Sequence, residues 1–490
     1  MRKTIVIPFA ALLCYCVVNQ ATAQSWLQSG SFAPLYRTTP SPVARARVPT
    51  TINFSNRRSQ LSVDLDSSVR NIDTANDEQL SRAVVELALQ IGRISADSNS
   101  PAEVFSPVSI MGVLNMLLMG SNGLTRAELF GALNLNEKTD YKQYHRRAGA
   151  MMRNLLSKTP KQLDLLGWKT NTCNTYDYDY EDNEPQPPAT PKVNILNIAN
   201  AIFVQNNLPI NPKYESAAME IYGATTQKID FRNAPVAIST INNWANQATF
   251  GKIREILSGS FSTDTSMVIA SSLYFKATWQ NEFIPKITRP KDFYPDGQDR
   301  PTIKVDMMSM IQCLPYLYEK SLGFKMIGLP YSDNATTMYV MMPVNSSRVK
   351  IRELQNRLTA GQIDSMITKM KLRTTTLTFP RTQLESSTNL EKSFRKLGVK
   401  SIFNVQSSDL GMMLNQNARG KTRLFVSQIS HKVNLSVDEN GTEGAAVTMT
   451  LIDRSASSVY FNVNQPFLVY VRHDPTRLPL FYGAVFDPRG

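Results

Sequence analysis

Residues 437–455, VDENGTEGAAVTMTLIDRS, are the stretch from which the rest of the chain can be interpreted. The stretch begins with the turn signal Asn440-Gly441, continues through small and β-branched residues, and reaches Arg454. Alternate residues of a strand face opposite sides, so one face of this stretch carries only small side chains: Thr442, Gly444, Ala446, Thr448 and Thr450. Such a strand can enter between two packed strands because it displaces little volume from a close-packed interior.

The first residues have the composition of a secretory signal peptide, residues 1–23. Arg2-Lys3 precedes an apolar run, and Ala21-Thr22-Ala23 forms an A-x-A cleavage site. The apolar run is shorter than the about 20 residues that a membrane-spanning helix needs. We therefore predict a secreted protein that does not associate with a membrane.

A basic arm and one large domain follow the signal peptide. Residues 24–75 are rich in Pro, Ser, Thr and Arg, a composition that predicts disorder. Helical periodicity begins at Asp77, and we assign residues 76–490 to a single α+β domain. The chain of 490 residues has a formal net charge of +13, so the arm either docks on an acidic partner or remains solvated.

An acidic insertion interrupts the domain at about residues 165–192. Tyr176, Tyr178 and Tyr180 alternate there with acidic residues, and a Pro-rich tail follows. Acid-flanked tyrosines in a secreted chain are plausible sulfation sites. Three interpretations remain open: the segment masks a basic patch of its own domain, contacts a basic surface of another protein, or has no partner.

Two cysteines remain after removal of the signal peptide, which contains Cys14 and Cys16. Cys173 and Cys313 cannot form a disulfide framework for a chain of this length. They either pair with each other or stay apart as one thiol in the insertion and one in a strand.

Two motifs together resemble the serpin family: ENGTEGAA at 439–446 and FSPVSI at 105–110. From Val193 onward the resemblance is continuous, through IANAIFVQNN, MVIASSLYFKATWQNEF and the C-terminal FNVNQPFLVYVRHDPTRLPLFYGAVFDP. The resemblance implies an α+β serpin fold, with about nine helices around three β-sheets. It also implies an exposed reactive-centre loop at about 441–462 that is cleaved and then inserts into the central sheet as a strand.

The resemblance also assigns roles to individual residues. Trp279 would be an aromatic anchor near the top of the central sheet. The sequence departs from the family at Gly444, where Ala is usual, and at Ser271, where Asn is most common. The hinge would consist of Gly441, Thr442, Glu443, Gly444, Ala445 and Ala446, and the polar latch beneath the sheet of Ser106, Ser109, Ser271 and His431.

The reactive bond has two candidate positions. Family spacing from Gly441 places the bond after Ser455. The chemistry of the loop favours Arg454, because a trypsin-like specificity pocket holds a carboxylate that pairs with Arg. We predict that Arg454 is the recognised residue and that Ser455 is the alternative.

The mature chain contains no catalytic or metal-binding constellation. It has three histidines and lacks the GxSxG, HExxH, P-loop and dinucleotide motifs. We therefore predict no enzymatic activity, no cofactor, no metal and no nucleic-acid partner. The expected partner is an extracellular trypsin-like serine protease, bound covalently by a monomeric inhibitor that acts in a cascade such as innate immunity or clotting. The alternative is a non-inhibitory serpin that acts as a carrier.

Surface modification and glycan binding are two further expectations. The sequons of Asn53, Asn334 and Asn345 are predicted to carry N-glycans, whereas those of Asn434 and Asn440 are predicted to stay mostly unmodified. A polyanion such as a heparin-like glycan could bind a basic patch before the insertion, although a solvated helix face is the simpler interpretation. This patch would contain Lys142, His145, Arg146, Arg147 and Arg153.

Overall fold

The structure is a computed structural model of the chain. It describes residues 74–97, 99–135, 139–157, 166–169, 171, 173, 192, 194–262, 264–442 and 458–490, all of which belong to one compact unit, Thr51–Gly490. Several predicted features lie outside the described residues: the signal peptide, most of the basic arm, Asn53, the acidic tyrosine segment, hinge residues 443–446 and the reactive bond.

The described residues contain nine α-helices. These are α1 (Thr74–Ile94), α2 (Pro107–Gly120), α3 (Gly123–Ala132), α4 (Tyr141–Leu155), α5 (Pro212–Tyr222), α6 (Ala234–Ala248), α7 (Arg348–Arg357), α8 (Ala360–Lys369) and α9 (Leu390–Lys396). Local sequence sets several of the ends. The Ser106 side chain caps α2 with Pro107 in the first turn, Asp140 caps α4, and α5 ends at Gly223 in the left-handed conformation.

One sheet, which we call the central sheet, contains six of the described strands. They are β2 (Asn194–Gln205), β3 (Thr225–Ile229), β4 (Met267–Thr278), β10 (Thr382–Asn389), β11 (Gln428–Val437) and the two-residue β12 (Gly441–Thr442). Their order is β10-β11-β4-β2-β3, with β12 paired to β4. β11 and β4 are parallel and directly hydrogen-bonded, with His431 opposite Ser271. The central sheet is therefore closed along most of β4.

The second sheet contains nine of the described strands. They are β1 (Ala102–Phe105), β5 (Arg289–Phe293), β6 (Ile303–Glu319), β7 (Phe324–Pro330), β8 (Thr336–Pro343), β9 (Lys371–Pro380), β13 (Val459–Asn462), β14 (Phe467–His473) and β15 (Leu478–Val485). The order is β1-β15-β14-β8-β7-β6-β9-β13, and β5 pairs with β6. The long strand β6 pairs with β9 along most of its length and with β7 at its end, so two smaller sheets become one hydrogen-bonded network.

Helices cover both faces of the central sheet. α2 is apolar all round and almost wholly buried, as expected for a helix enclosed by other elements. It lies against β2 and β4 within the main core, to which Ile269 and Leu273 of β4 also belong. On the other face, Ile241 of α6 packs with Phe203 and Val268 in a second, smaller core. Alternate residues of β4 therefore face opposite helices.

Cys173 and Cys313 form a disulfide bond, with a distance of 2.06 Å between the two sulfur atoms. The bond attaches one end of the predicted insertion to β6. The residues just before it, 166–169, include a 3-10 turn whose Trp168 is buried. Lys169 forms an ion pair with the buried carboxylate of Asp474, at 2.8 Å. The beginning of the predicted insertion is thus packed on the body of the protein.

Candidate functional site

The hinge begins inside the central sheet. Gly441 pairs with Thr278 and Thr442 with Ala277, so β12 runs antiparallel to β4. The backbones approach closely at Gly441, where a Cβ atom would lie 2.0 Å from the carbonyl oxygen of Ala277. Only glycine fits at this position. The first two hinge residues are therefore already strand residues in the closed sheet.

Two aromatic side chains hold the second hinge residue. Thr442 is fully buried, and its hydroxyl oxygen lies 2.8 Å from the phenol oxygen of Tyr331. Trp279 stacks on Tyr331, with ring centroids 4.4 Å apart and an angle of 17° between the rings. The indole nitrogen of Trp279 donates to the carbonyl oxygen of Asp438 at 3.0 Å. Trp279 thus connects Asp438, which precedes the hinge, to Tyr331, which contacts Thr442.

A buried carboxylate lies just before the hinge. Glu439 is 5% exposed and accepts hydrogen bonds from Arg381 and from the hydroxyl of Thr288 at 2.6 Å. Burial alone would raise the pKa of Glu439, but the hydrogen bonds from Arg381 and Thr288 outweigh that effect and lower it below its ordinary value. The ionised carboxylate therefore connects the hinge to the loop between β9 and β10.

The predicted latch residues lie together beneath the central sheet, and all four are buried. The backbone N–H of Ser106 donates to Nε2 of His431 at 3.0 Å, and Nδ1 of His431 lies 3.3 Å from the hydroxyl oxygen of Ser271. Ser109 accepts from the Ser106 hydroxyl at 2.9 Å, so it reaches His431 only through Ser106. His431 is the central residue, because it connects α2, β4 and β11.

The latch requires a neutral imidazole. Nε2 of His431 accepts a hydrogen bond, so the proton resides on Nδ1 and points to Ser271. Complete burial lowers the pKa of His431 to about 4, and the hydrogen bond with the backbone of Ser271 offsets only part of this shift. The side chain is therefore uncharged at neutral pH. Protonation would remove its acceptor and place a charge beneath the sheet.

The other end of the loop is fixed to the second sheet. Ser458 donates its backbone N–H to the carbonyl oxygen of Thr374 on β9 at 2.9 Å, and β13 continues parallel to β9 from Val459. The two ends of segment 443–457 are thus held by different sheets. Arg454 and Ser455 precede the second attachment by only a few residues.

The comparisons with known proteins agree with this geometry. A family model described as serpin, serine protease inhibitor, matches residues 82–488. The chain belongs to the serpin family. The Drosophila melanogaster "Serine protease inhibitor 28Dc" is 33% identical to this serpin over 446 residues, covering 85% of this chain and 81% of the fly protein. The pig leukocyte elastase inhibitor is 29% identical, covering 84% of this chain and 100% of the inhibitor.

A solved structure supports the fold assignment. Human glycosylated kallistatin superimposes with a TM-score of 0.69 at 25% identity, covering 84% of this chain and 99% of kallistatin. The α+β serpin fold that the resemblance implied is thereby confirmed. The matching family model describes protease inhibitors rather than catalysts. Among the described residues of this serpin, no group of His, Cys, Asp and Glu is arranged to hold a metal ion, and no helix is long and apolar enough to span a membrane.

One residue that was assigned to the predicted polyanion patch is buried. His145 is only 4% exposed and faces the core, with its Nδ1 2.5 Å from the phenol oxygen of Tyr222. Burial lowers its pKa to about 4, so it supplies no positive charge at neutral pH. The interpretation of His145 as a patch residue was wrong, because it lies on the apolar face of α4. The patch retains Lys142, Arg146, Arg147 and Arg153.

The sequons of this serpin occupy different environments. Asn334 and Asn345 are exposed at turns. Asn434 is half-buried within β11, and its side-chain oxygen accepts from the hydroxyl of Ser436. Thr442, which completes the sequon of Asn440, is fully buried. The structure is thus consistent with glycans at the two exposed sites.

Three residues of the hinge site were missing from the sequence prediction: Tyr331, Glu439 and Arg381. Each lies in a segment that matched the family pattern, but the segments are far apart in the chain. Arg381 and Glu439 are 58 positions apart, and Tyr331 and Thr442 are 111 positions apart. Nothing in the residue pattern indicates these pairings.

Proposed function

We propose that this serpin is a secreted suicide-substrate inhibitor of a trypsin-like serine protease. The protease cleaves after Arg454 and remains attached as an acyl-enzyme while the hinge inserts between β4 and β11. The native fold is then metastable, held by a kinetic barrier, and one inhibitor molecule is consumed per protease molecule. Distortion of the oxyanion hole stops deacylation of the trapped protease.

The observation that carries this proposal is the register of β12 on β4. Continued from Thr442 opposite Ala277, the same register would place Gly444 opposite Phe275 and Ala446 opposite Leu273. These β4 residues face the main core. The small side chains of the loop would therefore meet the crowded side of the sheet, and the larger ones would face outward.

The length of β4 supports the position of the reactive bond. In the continued register, Met267 at the far end of β4 would lie opposite Ile452. A loop inserted to this extent leaves Arg454 just beyond the end of the strand. A protease acylated on Arg454 would thus reach the opposite end of the sheet, whereas Ser458 and β13 would stay behind on β9.

The test is to mix the secreted chain with trypsin and, separately, with chymotrypsin. We expect a complex with trypsin that survives boiling and denaturing electrophoresis. We also expect a released C-terminal fragment whose measured mass shows that it begins at Ser455. Arg454→Ala should abolish the complex. Arg300→Ala, which removes an exposed arginine outside the loop, should leave it unchanged.

Other outcomes would contradict parts of the proposal. Clean cleavage after Arg454 without a covalent complex would support the non-inhibitory alternative. A fragment that begins at Ala456 would move the recognised residue to Ser455 and the target to a protease that prefers small side chains. Retention of the chain inside the cells that make it would contradict secretion through residues 1–23.

A further inference from the structure

A basic surface cleft lies beside the disulfide bond. The cleft has a volume of about 820 Å³ and lies between the 166–171 segment and the chain from the end of α8 into β9. Lys369, Lys371 and Arg373 line it and are exposed. Its apolar lining includes Trp168 and Leu372. The cleft therefore combines three cations with apolar surface.

The described residues leave the charges of this cleft largely unpaired. None of the ion pairs in the described part of the chain involves Lys369, Lys371 or Arg373. The carboxylate of Glu319 interacts electrostatically with Lys369. It also accepts hydrogen bonds from the backbone N–H and the hydroxyl of Ser321. Three neighbouring cations that take part in none of these ion pairs form a surface that attracts an anion.

The disulfide fixes the start of an acidic segment next to this cleft. Cys313 lies opposite Thr374 on β9, and the adjacent Leu314 lies opposite Arg373. The Cα atoms of Cys173 and Cys313 are 5.9 Å apart. Tyr176 follows Cys173 by three residues, a reach of about 10 Å in extended chain. Asn171, two residues before Cys173, lines the cleft itself, so the segment 176–184 starts next to the cleft.

The segment 176–184, YDYDYEDNE, matches the cleft in chemistry. It carries five carboxylates and no Lys or Arg, and its other end returns to the described chain at Lys192 and β2. In extended form its alternating tyrosines and acids face opposite sides. The carboxylates can then form ion pairs with the three cations. The tyrosine rings can pack on Leu372 and form cation–π contacts with the cationic side chains. The short tether gives the segment a high effective concentration at the cleft.

We propose that the acidic tyrosine segment 176–184 docks in cis on the cleft of Lys369, Lys371 and Arg373, where the Cys173–Cys313 disulfide holds it. This inference is independent of the inhibitory function proposed above. The occupied cleft lies on β9, the strand whose Thr374 holds Ser458 at the end of the reactive loop. Docking thus neutralises a basic surface next to the loop and exposes it again when the segment is displaced.

Zero-length carbodiimide cross-linking of the full chain tests the proposal. The reagent joins carboxylates to amines in direct contact, and mass spectrometry of the monomer band identifies the pairs. We expect cross-links from the carboxylates of 176–184 to Lys369 or Lys371 at least 5-fold more often than to Lys213 or Lys252, which are equally exposed on other elements. High salt should weaken these cross-links because it screens the attraction.

Three variants complete the test. Lys369→Gln with Lys371→Gln and Arg373→Gln should free the segment. The release is measured as faster cleavage after Glu181 by a Glu-specific protease. A matched triple Gln variant at Lys142, Arg146 and Arg153 on α4 should leave that rate unchanged. Cys173→Ser should lower the cross-linking yield, because the segment then loses its attachment to β6.

Four results would overturn the proposal. These are equal cross-linking to all exposed lysines, cross-links found only in a dimer band, cross-links formed only to an added protease, and identical cleavage rates in the two triple variants.

Discussion

The hydroxyl oxygen of Thr442 lies 2.8 Å from the phenol oxygen of Tyr331, and both residues are fully buried. The hinge is therefore attached to the central sheet before any protease cuts the loop. Gly441 makes this attachment possible because its backbone touches that of Ala277. Because the first two hinge residues already pair with β4, the proposed insertion would next require the separation of β4 from β11.

Thr442→Arg is expected to convert the inhibitor into a substrate. An arginine at this position cannot be buried against Tyr331 without an ion partner, so the hinge would leave the sheet and insertion would fail. Denaturing gels with trypsin should show cleaved chain and no covalent complex, with the thermal stability of the uncleaved protein almost unchanged. Thr442→Ser keeps the hydroxyl and should retain complex formation. Unchanged inhibition by Thr442→Arg would contradict the insertion mechanism.

Gly441→Ala should release β12 from β4. The added methyl group would overlap the carbonyl oxygen of Ala277, so the two backbones must separate. Hydrogen exchange of peptides that cover 274–279 and 438–442 should become at least 10-fold faster. Gly444→Ala adds the same group beyond the described pairing and serves as the control. Equal protection in wild type and Gly441→Ala would mean that β12 does not pair with β4 in solution.

Acid should weaken the closed central sheet through His431. Its pKa is lowered from 6.5 to about 4, so below pH 6.5 an opened state binds a proton that the closed state does not bind. The stability of the closed sheet is therefore intact above pH 6.5 and falls between pH 6.5 and 4. At pH 5 the loss is about 2 kcal/mol, a roughly 30-fold shift toward opening.

The measurement is the rate of conversion to inserted or polymeric forms on native gels at pH 7 and pH 5. His431→Asn can still form hydrogen bonds but does not titrate, so it should lose most of the pH dependence of this rate. His145→Asn removes another buried histidine whose pKa is about 4, but one that lies on the buried face of α4. The His145→Asn variant should keep the pH dependence of the conversion rate. The opposite pattern would exclude His431 as the titrating group.

Arg381→Met should destabilise the region before the hinge. It leaves the buried carboxylate of Glu439 with Thr288 as its remaining side-chain partner, at a cost of about 1–3 kcal/mol. The midpoint of the first unfolding transition should move to a lower urea concentration. Adding Glu439→Gln to Arg381→Met should restore part of the loss, because the buried charge is gone. If the stability losses of the two single variants simply add in the double variant, Arg381 and Glu439 do not interact in solution.

Local sequence determined several features of this protein. The small-residue face from Thr442 onward indicated an insertable strand, Ser106 and Pro107 indicated the start of α2, and the family motifs implied the fold that the structure has. The prediction of the start of α2 succeeded because it depends on residues close together in the chain, where capping acts directly. The insertable strand stays a prediction, because its residues beyond Thr442 lie outside the described part of the chain.

Only the tertiary structure decided which distant residues meet. The pairing of Thr442 with Tyr331, the pairing of Glu439 with Arg381 and the disulfide between Cys173 and Cys313 join positions 58 to 140 residues apart. His145 was misjudged for the same reason, since its burial depends on what packs against α4. The sequence by itself determined the elements and their periodicity, whereas long-range packing decided which contacts hold the hinge in the closed sheet.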